Sequence, residues 1–278
     1  MKKKAIFLDI DGTLTVPGQN VPPDSALEAI RKARAAGNYV FLCSGRNYSM
    51  LKPLLKYPFD GFIASSGGYV AVGDKVIYDC PMPKEQSETV TELLKNNNIF
   101  KTVECRDGSY TDEEFKEFLK KTASADGTGN SELLRWRQQV EKSLDIRPMS
   151  EYKGQPVYKF VVMAPNEDDL LETARVLAEE LNVQIMGSVQ GAYINGEIIG
   201  KDFDKGTAVR CVCSYLDIPI GDSVGFGDSM NDREMLETVG ISVCMENGTE
   251  AMKEISDVIC PAVDKDGLYA GFEKCGLF

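Results

Sequence analysis

Histidine is absent from the 278-residue sequence, and that absence excludes a large set of mechanisms. No Ser-His-Asp triad, phosphohistidine intermediate or histidine-ligated zinc site can be built. Acid–base work falls to carboxylates, Lys, Tyr, Cys or metal-bound water. Cysteine occurs eight times, but without zinc-type spacing. Cys211 and Cys213 lie two apart on an expected helix and so point to different sides. No cysteine is followed six positions later by arginine, the phosphate-loop spacing of cysteine phosphatases. The cysteines therefore read as buried free thiols in a reducing cytosol. Long apolar runs are also missing. Met1-Lys2-Lys3-Lys4 looks like a signal-peptide start, yet the apolar stretch behind it covers only residues 5–8 before Asp9, too short for secretion. No run approaches membrane-spanning length, and the expected location is cytoplasmic. Positive charge is scarce: 31 Lys and Arg stand against 43 Asp and Glu, a net charge of -12. Such a chain is a poor partner for nucleic acid or for an anionic membrane surface. An anionic substrate would need local positive charge or a metal to bring it in.

The length suits one large or two ordinary domains. Residues 4–8 read as a buried strand ending in Asp9-Ile10-Asp11-Gly12-Thr13. Pro22-Pro23-Asp24 opens a helix with Leu27, Ile30 and Ala33 on one face, closed by Gly37. A second strand over 39–43 ends at Ser44-Gly45-Arg46. Met50, Leu51, Leu54 and Leu55 predict another helix, and 62–64 a third strand. Residues 70–72 and 76–78 flank Gly73-Asp74 as a hairpin. The alternation predicts an α/β fold with a Rossmann-like, doubly wound parallel-sheet core. Cys80-Pro81-Met82-Pro83 interrupts it. The next stretch, to about Gly200, carries its own elements: a helix marked by Val90, Leu93 and Leu94, a polar loop at 124–130, a strand at 157–163, a helix at 170–181, and short strands between 183 and 199. From Lys205 the alternation returns, with helices at 208–216 and 231–238 and strands at 223–226, 241–244 and 258–259. Residues 1–82 and 202–278 are thus expected to form the core, and 83–201 an inserted α+β domain.

Four short segments stand at or beside expected strand ends: Asp9 to Thr13, Cys43-Ser44-Gly45-Arg46, Asp204-Lys205-Gly206, and Gly227-Asp228-Ser229-Met230-Asn231-Asp232. In an open α/β sheet the ligand crevice lies beyond the carboxyl ends of the strands. Asp9 and Asp11, two apart, point the same way from an extended backbone. Asp228 and Asp232, four apart, are neighbours on a helical face. Carboxylates gathered in one crevice repel unless a cation compensates, and oxygen-only ligands indicate a hard one, with magnesium suiting a phosphate site best. A phosphoryl group needs an in-line nucleophile, charge neutralisation and an acid for the leaving group. Asp9 can attack, Asp11 can trade the proton, Lys205 can neutralise oxygens, and Ser44 with the Gly45 amide can donate hydrogen bonds. Gly12 allows a tight turn. A calcium loop is the competing reading of Asp-x-Asp-Gly, but Leu14-Thr15-Val16-Pro17 supplies none of the further acidic ligands it requires.

These segments resemble the signature of the haloacid dehalogenase superfamily, which begins Asp-x-Asp-Gly-Thr. The Cof-type branch is the closer match: it inserts a large α/β cap between the second and third motifs, where this chain has Pro83 to Gly200. Gly227 to Asp232 followed by Met235-Leu236, and Asp266-Gly267 near the end, are also similar to that branch. The resemblance implies Asp9 as nucleophile and Asp11 as acid and base. It implies magnesium held by Asp9, by the Asp11 main-chain carbonyl and by Asp228, with Asn231 on the phosphate and Asp232 supporting the metal from behind its ligands. Ser44 stands where threonine is common. The expected activity is a magnesium-dependent phosphatase acting on a small phosphorylated metabolite such as a sugar phosphate. A phosphomutase or phosphotransferase similar to a phosphomannomutase is the alternative, and a non-catalytic phosphate sensor is a third reading that the intact Asp9, Asp11, Lys205 and Asp228 disfavour. The inserted segment, with Trp136, Tyr152 and Tyr193 as candidates, is expected to choose the substrate.

Overall fold

The computed structural model describes residues 2–17, 19–115, 146–164, 167–189 and 193–278. The strands, in chain order, are β1 (Ala5–Leu8), β2 (Tyr39–Cys43), β3 (Gly61–Ala64), β4 (Tyr69–Val72), β5 (Lys75–Asp79), β6 (Phe100–Cys105), β7 (Gly108–Thr111), β8 (Ile146–Pro148), β9 (Val157–Ala164), β10 (Leu181–Val189), β11 (Tyr193–Gly200), β12 (Ser223–Gly227), β13 (Ile241–Met245) and β14 (Val258–Cys260). The helices among the described residues are α1 (Asp24–Ala35), α2 (Tyr48–Leu51), α3 (Lys84–Asn96), α4 (Glu167–Leu177), α5 (Lys205–Tyr215), α6 (Arg233–Thr238), α7 (Glu250–Glu254) and α8 (Gly267–Lys274).

The chain divides into two compact units. One, the core unit, comprises residues 1–46, 51–79 and 203–278. It is built on an eight-stranded sheet in the order β14-β13-β12-β1-β2-β3-β4-β5. From β14 to β3 every pairing is parallel; the β3-β4 and β4-β5 pairings are antiparallel and close one edge. The sequence dictates this. The β1 run Ala-Ile-Phe-Leu is buried throughout, as a parallel strand covered on both faces requires. Helix α1 presents Leu27, Ile30 and Ala33 to the interior, and Gly37 leaves it at φ +94°, a conformation glycine adopts without penalty.

The other unit comprises residues 47–50 and 80–202. Its six-stranded sheet runs β10-β11-β9-β6-β7-β8. One face packs Val103, Phe160, Val162 and Ile198 with Val90 and Leu94 of α3 and Leu170 and Leu177 of α4. The opposite face carries Thr102, Glu104, Lys159 and Glu197, all buried, with Lys159 Nζ 2.6 Å from Glu197 Oε1 and 3.4 Å from Glu104 Oε2. Met82 belongs to this unit's apolar core, its amide donating to Val157 O at 2.6 Å; the division therefore falls at Asp79/Cys80 rather than after Met82.

Three element expectations differ from the structure. The helix expected around Met50 to Leu55 is confined to α2 and gives way to turns, because Pro53 disfavours helical backbone at the residue before it. The helix expected over 170–181 stops at Leu177, and Leu181 starts β10. The short strands expected over 183–199 are two long antiparallel ones. Gly196 does not break β11: a Cβ there would press on the Gln184 carbonyl, 2.7 Å away, so the glycine permits close backbone approach. The 124–130 loop and Trp136 lie outside the described residues, as does the side chain of Tyr193. Tyr152 rests on the Tyr110 ring at 5.4 Å.

Candidate active site

Parallel β1, β2, β3 and β12 end side by side, and the residue after each end is polar: Asp9, Ser44, Ser65 and Asp228. The turn after β1 folds on itself, with the Gly12 amide donating to Thr15 O at 2.8 Å and the Thr15 amide to Ile10 O at 2.8 Å. Gly12 has φ +95°, and a Cβ there would collide with the Asp228 carboxylate. Only glycine lets these two segments meet.

The structure brings Asp9, Lys205, Asp228 and Asp232 together. Lys205 Nζ donates to Asp9 Oδ1 at 2.8 Å and to Asp232 Oδ1 at 2.6 Å. The other Asp232 oxygen accepts from the amides of Asp228 at 3.0 Å and Ser229 at 3.2 Å, which fixes the turn that carries Asp228. One oxygen from each of Asp9, Asp228 and Asp232 lies within 4.8 Å of the others. Asp11 is adjacent in sequence but engaged elsewhere: Arg46 Nε and Nη2 clamp its two oxygens at 2.8 and 2.7 Å. The Ser44 hydroxyl accepts from the Arg46 amide at 3.2 Å. Gly45 is buried in the same turn. Asn231 is buried in the turn after Asp228, and its Oδ1 accepts from the Ser229 hydroxyl at 2.7 Å.

Electrostatics set the character of the site. Burial, and then the Asp232 charge, push the Asp9 carboxyl well above the usual carboxylate range, with Lys205 opposing. Burial, then Asp9 and Asp232, do the same to Asp228. Burial alone would push the Lys205 ammonium down, but Asp232 and Asp9 outweigh it and hold it above its ordinary value. Four buried carboxylates face two buried cations, Lys205 and Arg46. The formal excess is two negative charges, and Asp228 Oδ1 is buried with no partner among the described residues. The Asp9, Asp228 and Asp232 group could hold a hard cation, since carboxylates this close repel unless a positive charge compensates.

Sequence reasoning missed several contributors. Arg46 stood in the Cys43-Ser44-Gly45-Arg46 segment, but its pairing with Asp11, 35 residues away, was not legible. It also donates to Asn20 Oδ1 at 2.6 Å. Asn247 steadies the first turn, its Nδ2 donating to Gly12 O at 2.8 Å and its Oδ1 accepting from the Val263 amide at 3.0 Å. Nothing in the local sequence marks it, because its partners lie 235 and 16 residues away.

Comparison with known proteins gives the family. The sequence profile of the haloacid dehalogenase-like hydrolases matches residues 6–272. The chain belongs to this family, in its Cof-type branch, and is a hydrolase. YkrA of Bacillus subtilis (strain 168), whose phosphatase designation is provisional, is 27% identical over 278 residues, covering 100% of this chain and 99% of its own. YwtE of the same organism, a 5-amino-6-(5-phospho-D-ribitylamino)uracil phosphatase, is 28% identical with 95% of each chain covered. Among solved structures, a haloacid dehalogenase-like hydrolase from Bacillus subtilis is similar at a TM-score of 0.80 and 22% identity, covering 97% of this chain and 99% of the other. The subclass IIB sugar phosphatase BT4131 is similar at a TM-score of 0.74 and 22% identity, covering 99% of this chain and 100% of the other. These likenesses establish the fold.

Proposed function

We propose that this hydrolase is a magnesium-dependent phosphatase of small phosphomonoesters that works through an aspartyl-phosphate on Asp9. The observation that carries the reading is the contact of Lys205 with both Asp9 and Asp232, beside Asp228 with its unpartnered buried oxygen. A nucleophile, a phosphate-neutralising cation and a metal-ready carboxylate then sit in one crevice.

Asp9, Asp228 and the Asp11 main-chain carbonyl would hold the magnesium, which supplies charge neutralisation on the phosphoryl oxygens when bound. Asp232 orients rather than ligates, because its oxygens are taken by Lys205 and two amides. In the first step a bond forms between an Asp9 oxygen and phosphorus. The bond from phosphorus to the ester oxygen breaks, and that oxygen takes a proton from Asp11. In the second step water attacks phosphorus, Asp11 takes the water proton, and the Asp9 carboxylate is released with inorganic phosphate. Asp11 must loosen from Arg46 to move that proton, since both its oxygens are held. Ser44, the Gly45 amide and Asn231 line the phosphoryl group.

Sugar phosphates and phosphoribitylamino-uracils are the substrate classes that BT4131 and YwtE suggest by name. Incubating the protein and magnesium with a panel of such esters tests the reading. Free orthophosphate supports it, an isomerised ester would make the chain a mutase, and no turnover across the panel would remove the hydrolytic assignment.

A further inference from the structure

A buried hydroxyl without a hydrogen-bond partner is costly and uncommon enough to need an explanation at each occurrence. In the core unit the buried side-chain atoms with no partner among the described residues are Thr13 Oγ1, Ser65 Oγ, Ser66 Oγ and Asp228 Oδ1. Every one follows the carboxyl end of a parallel strand: β1, β3 or β12. Unsatisfied polarity in this unit is therefore concentrated where a ligand would relieve it. Thr13 and Asp228 belong to the motifs already assigned; Ser65 and Ser66 do not.

The placement of these two serines is specific. The Ser65 amide donates to Arg46 O at 2.8 Å and the Ser66 amide to Ser44 O at 3.1 Å. The pair thus lies directly on the turn that carries Ser44. On its other side, a Cβ at Gly67 would collide with the Asp204 carbonyl, and Asp204 caps the helix that begins with Lys205. Both serines hold left-handed backbone, at φ 51° and 56°, which residues other than glycine seldom adopt. Strain of this kind persists where surrounding structure over-determines it and is concentrated at functional sites. The loop is wedged between two groups assigned above to the phosphoryl oxygens, and its hydroxyls are unspent.

We propose that Ser65 and Ser66 are phosphoryl-binding residues, their hydroxyls donating to nonbridging oxygens of the ester held against Asp9. With Ser44 they make one polar wall from the ends of β2 and β3. This inference rests on the phosphatase reading of the same site.

The test uses Ser65→Gly and Ser66→Gly in the full chain with magnesium. Glycine removes the hydroxyl and suits the left-handed backbone, so a purely structural serine and a phosphoryl-binding one give different results. Each variant is expected to melt at or above the wild-type temperature without ligand. Each should bind orthophosphate about tenfold more weakly by calorimetry. KM for p-nitrophenyl phosphate should rise in parallel, with kcat changing less. Ser65→Ala and Ser66→Ala replace any glycine variant that fails to fold. Wild-type orthophosphate affinity in both serine positions, in a wild-type protein that does hydrolyse p-nitrophenyl phosphate, overturns this proposal alone. Wild-type protein that neither binds orthophosphate nor turns over any ester overturns it together with the phosphatase reading.

Discussion

At the scale of single residues, the account depends on who is paired with whom. Asp9 and Asp11 are two apart in sequence yet have different partners: Asp9 meets Lys205 and Asp11 meets Arg46. Asp9→Asn is nearly isosteric, but it removes the proposed nucleophile and an ionisable carboxyl. It should lower turnover by at least ~10³-fold while leaving the melting profile cooperative. Steady-state rates on p-nitrophenyl phosphate with a calorimetric melt check this, deamidation being excluded by mass. The Arg46–Asp11 pair is fully buried, both side chains 1% exposed. Removing one member of such a pair leaves a charge stranded and costs about 3–5 kcal/mol. Arg46→Met should therefore lose stability of that order in urea unfolding, and adding Asp11→Asn should recover part of the loss. Additive losses in the double variant would show that the pair is not coupled.

At the scale of elements, the parallel half of the core was legible because buried parallel strands are short apolar runs and each is followed by polar chemistry: Ala5–Leu8 then Asp9, Tyr39–Cys43 then Ser44, Ser223–Gly227 then Asp228. Strand ends can be read from such a pattern, so the convergence of those residues could be argued before any coordinate. What could not be read was pairing at a distance. Asn247 and Arg46 act through partners fixed by the tertiary fold, and Ser65-Ser66 has no local signature of ligand contact. The long antiparallel pair β10 and β11 was obscured by its glycines, of which Gly196 permits close backbone approach rather than a turn. The outer strands offer a pH test. Asp257 ties the start of β14 to β13, accepting from the Ser242 amide and hydroxyl, each at 2.9 Å. Those bonds, the amide first, hold its carboxyl below the usual range. A depressed carboxyl contributes stability that is complete above its unfolded value near ~3.9 and is lost as pH falls through the folded value. Asp257→Asn should cost less than about 1 kcal/mol at pH 7, since the group is exposed. The difference from wild type in urea unfolding should shrink at the acid end; a difference that grows there would contradict the assignment.

At the scale of the molecule, an enzyme with a net charge of -12 must still receive an anion. Its solution is local. Lys205 and Arg46 are buried among the carboxylates, and in the proposed mechanism a divalent cation would offset the two remaining formal negative charges. Magnesium should raise the melting temperature and EDTA should abolish both that rise and turnover. Zinc should not be the native metal, since the chain has no histidine and the proposed ligands, Asp9, Asp228 and the Asp11 main-chain carbonyl, are oxygen donors that suit a hard ion. Metal analysis showing stoichiometric zinc, with poor activity after dialysis into zinc-free magnesium, would contradict this. No described helix is long and apolar enough to cross a membrane. The central claim is that phosphorus passes through the Asp9 carboxylate. Acid quenching during turnover of a phosphate ester, followed by peptide mass spectrometry, tests it most directly. The account predicts one added phosphoryl group on the peptide containing Asp9, localised to that residue and absent from Asp9→Asn. Steady turnover with no adduct on Asp9, or with the phosphoryl group on another side chain, would contradict it.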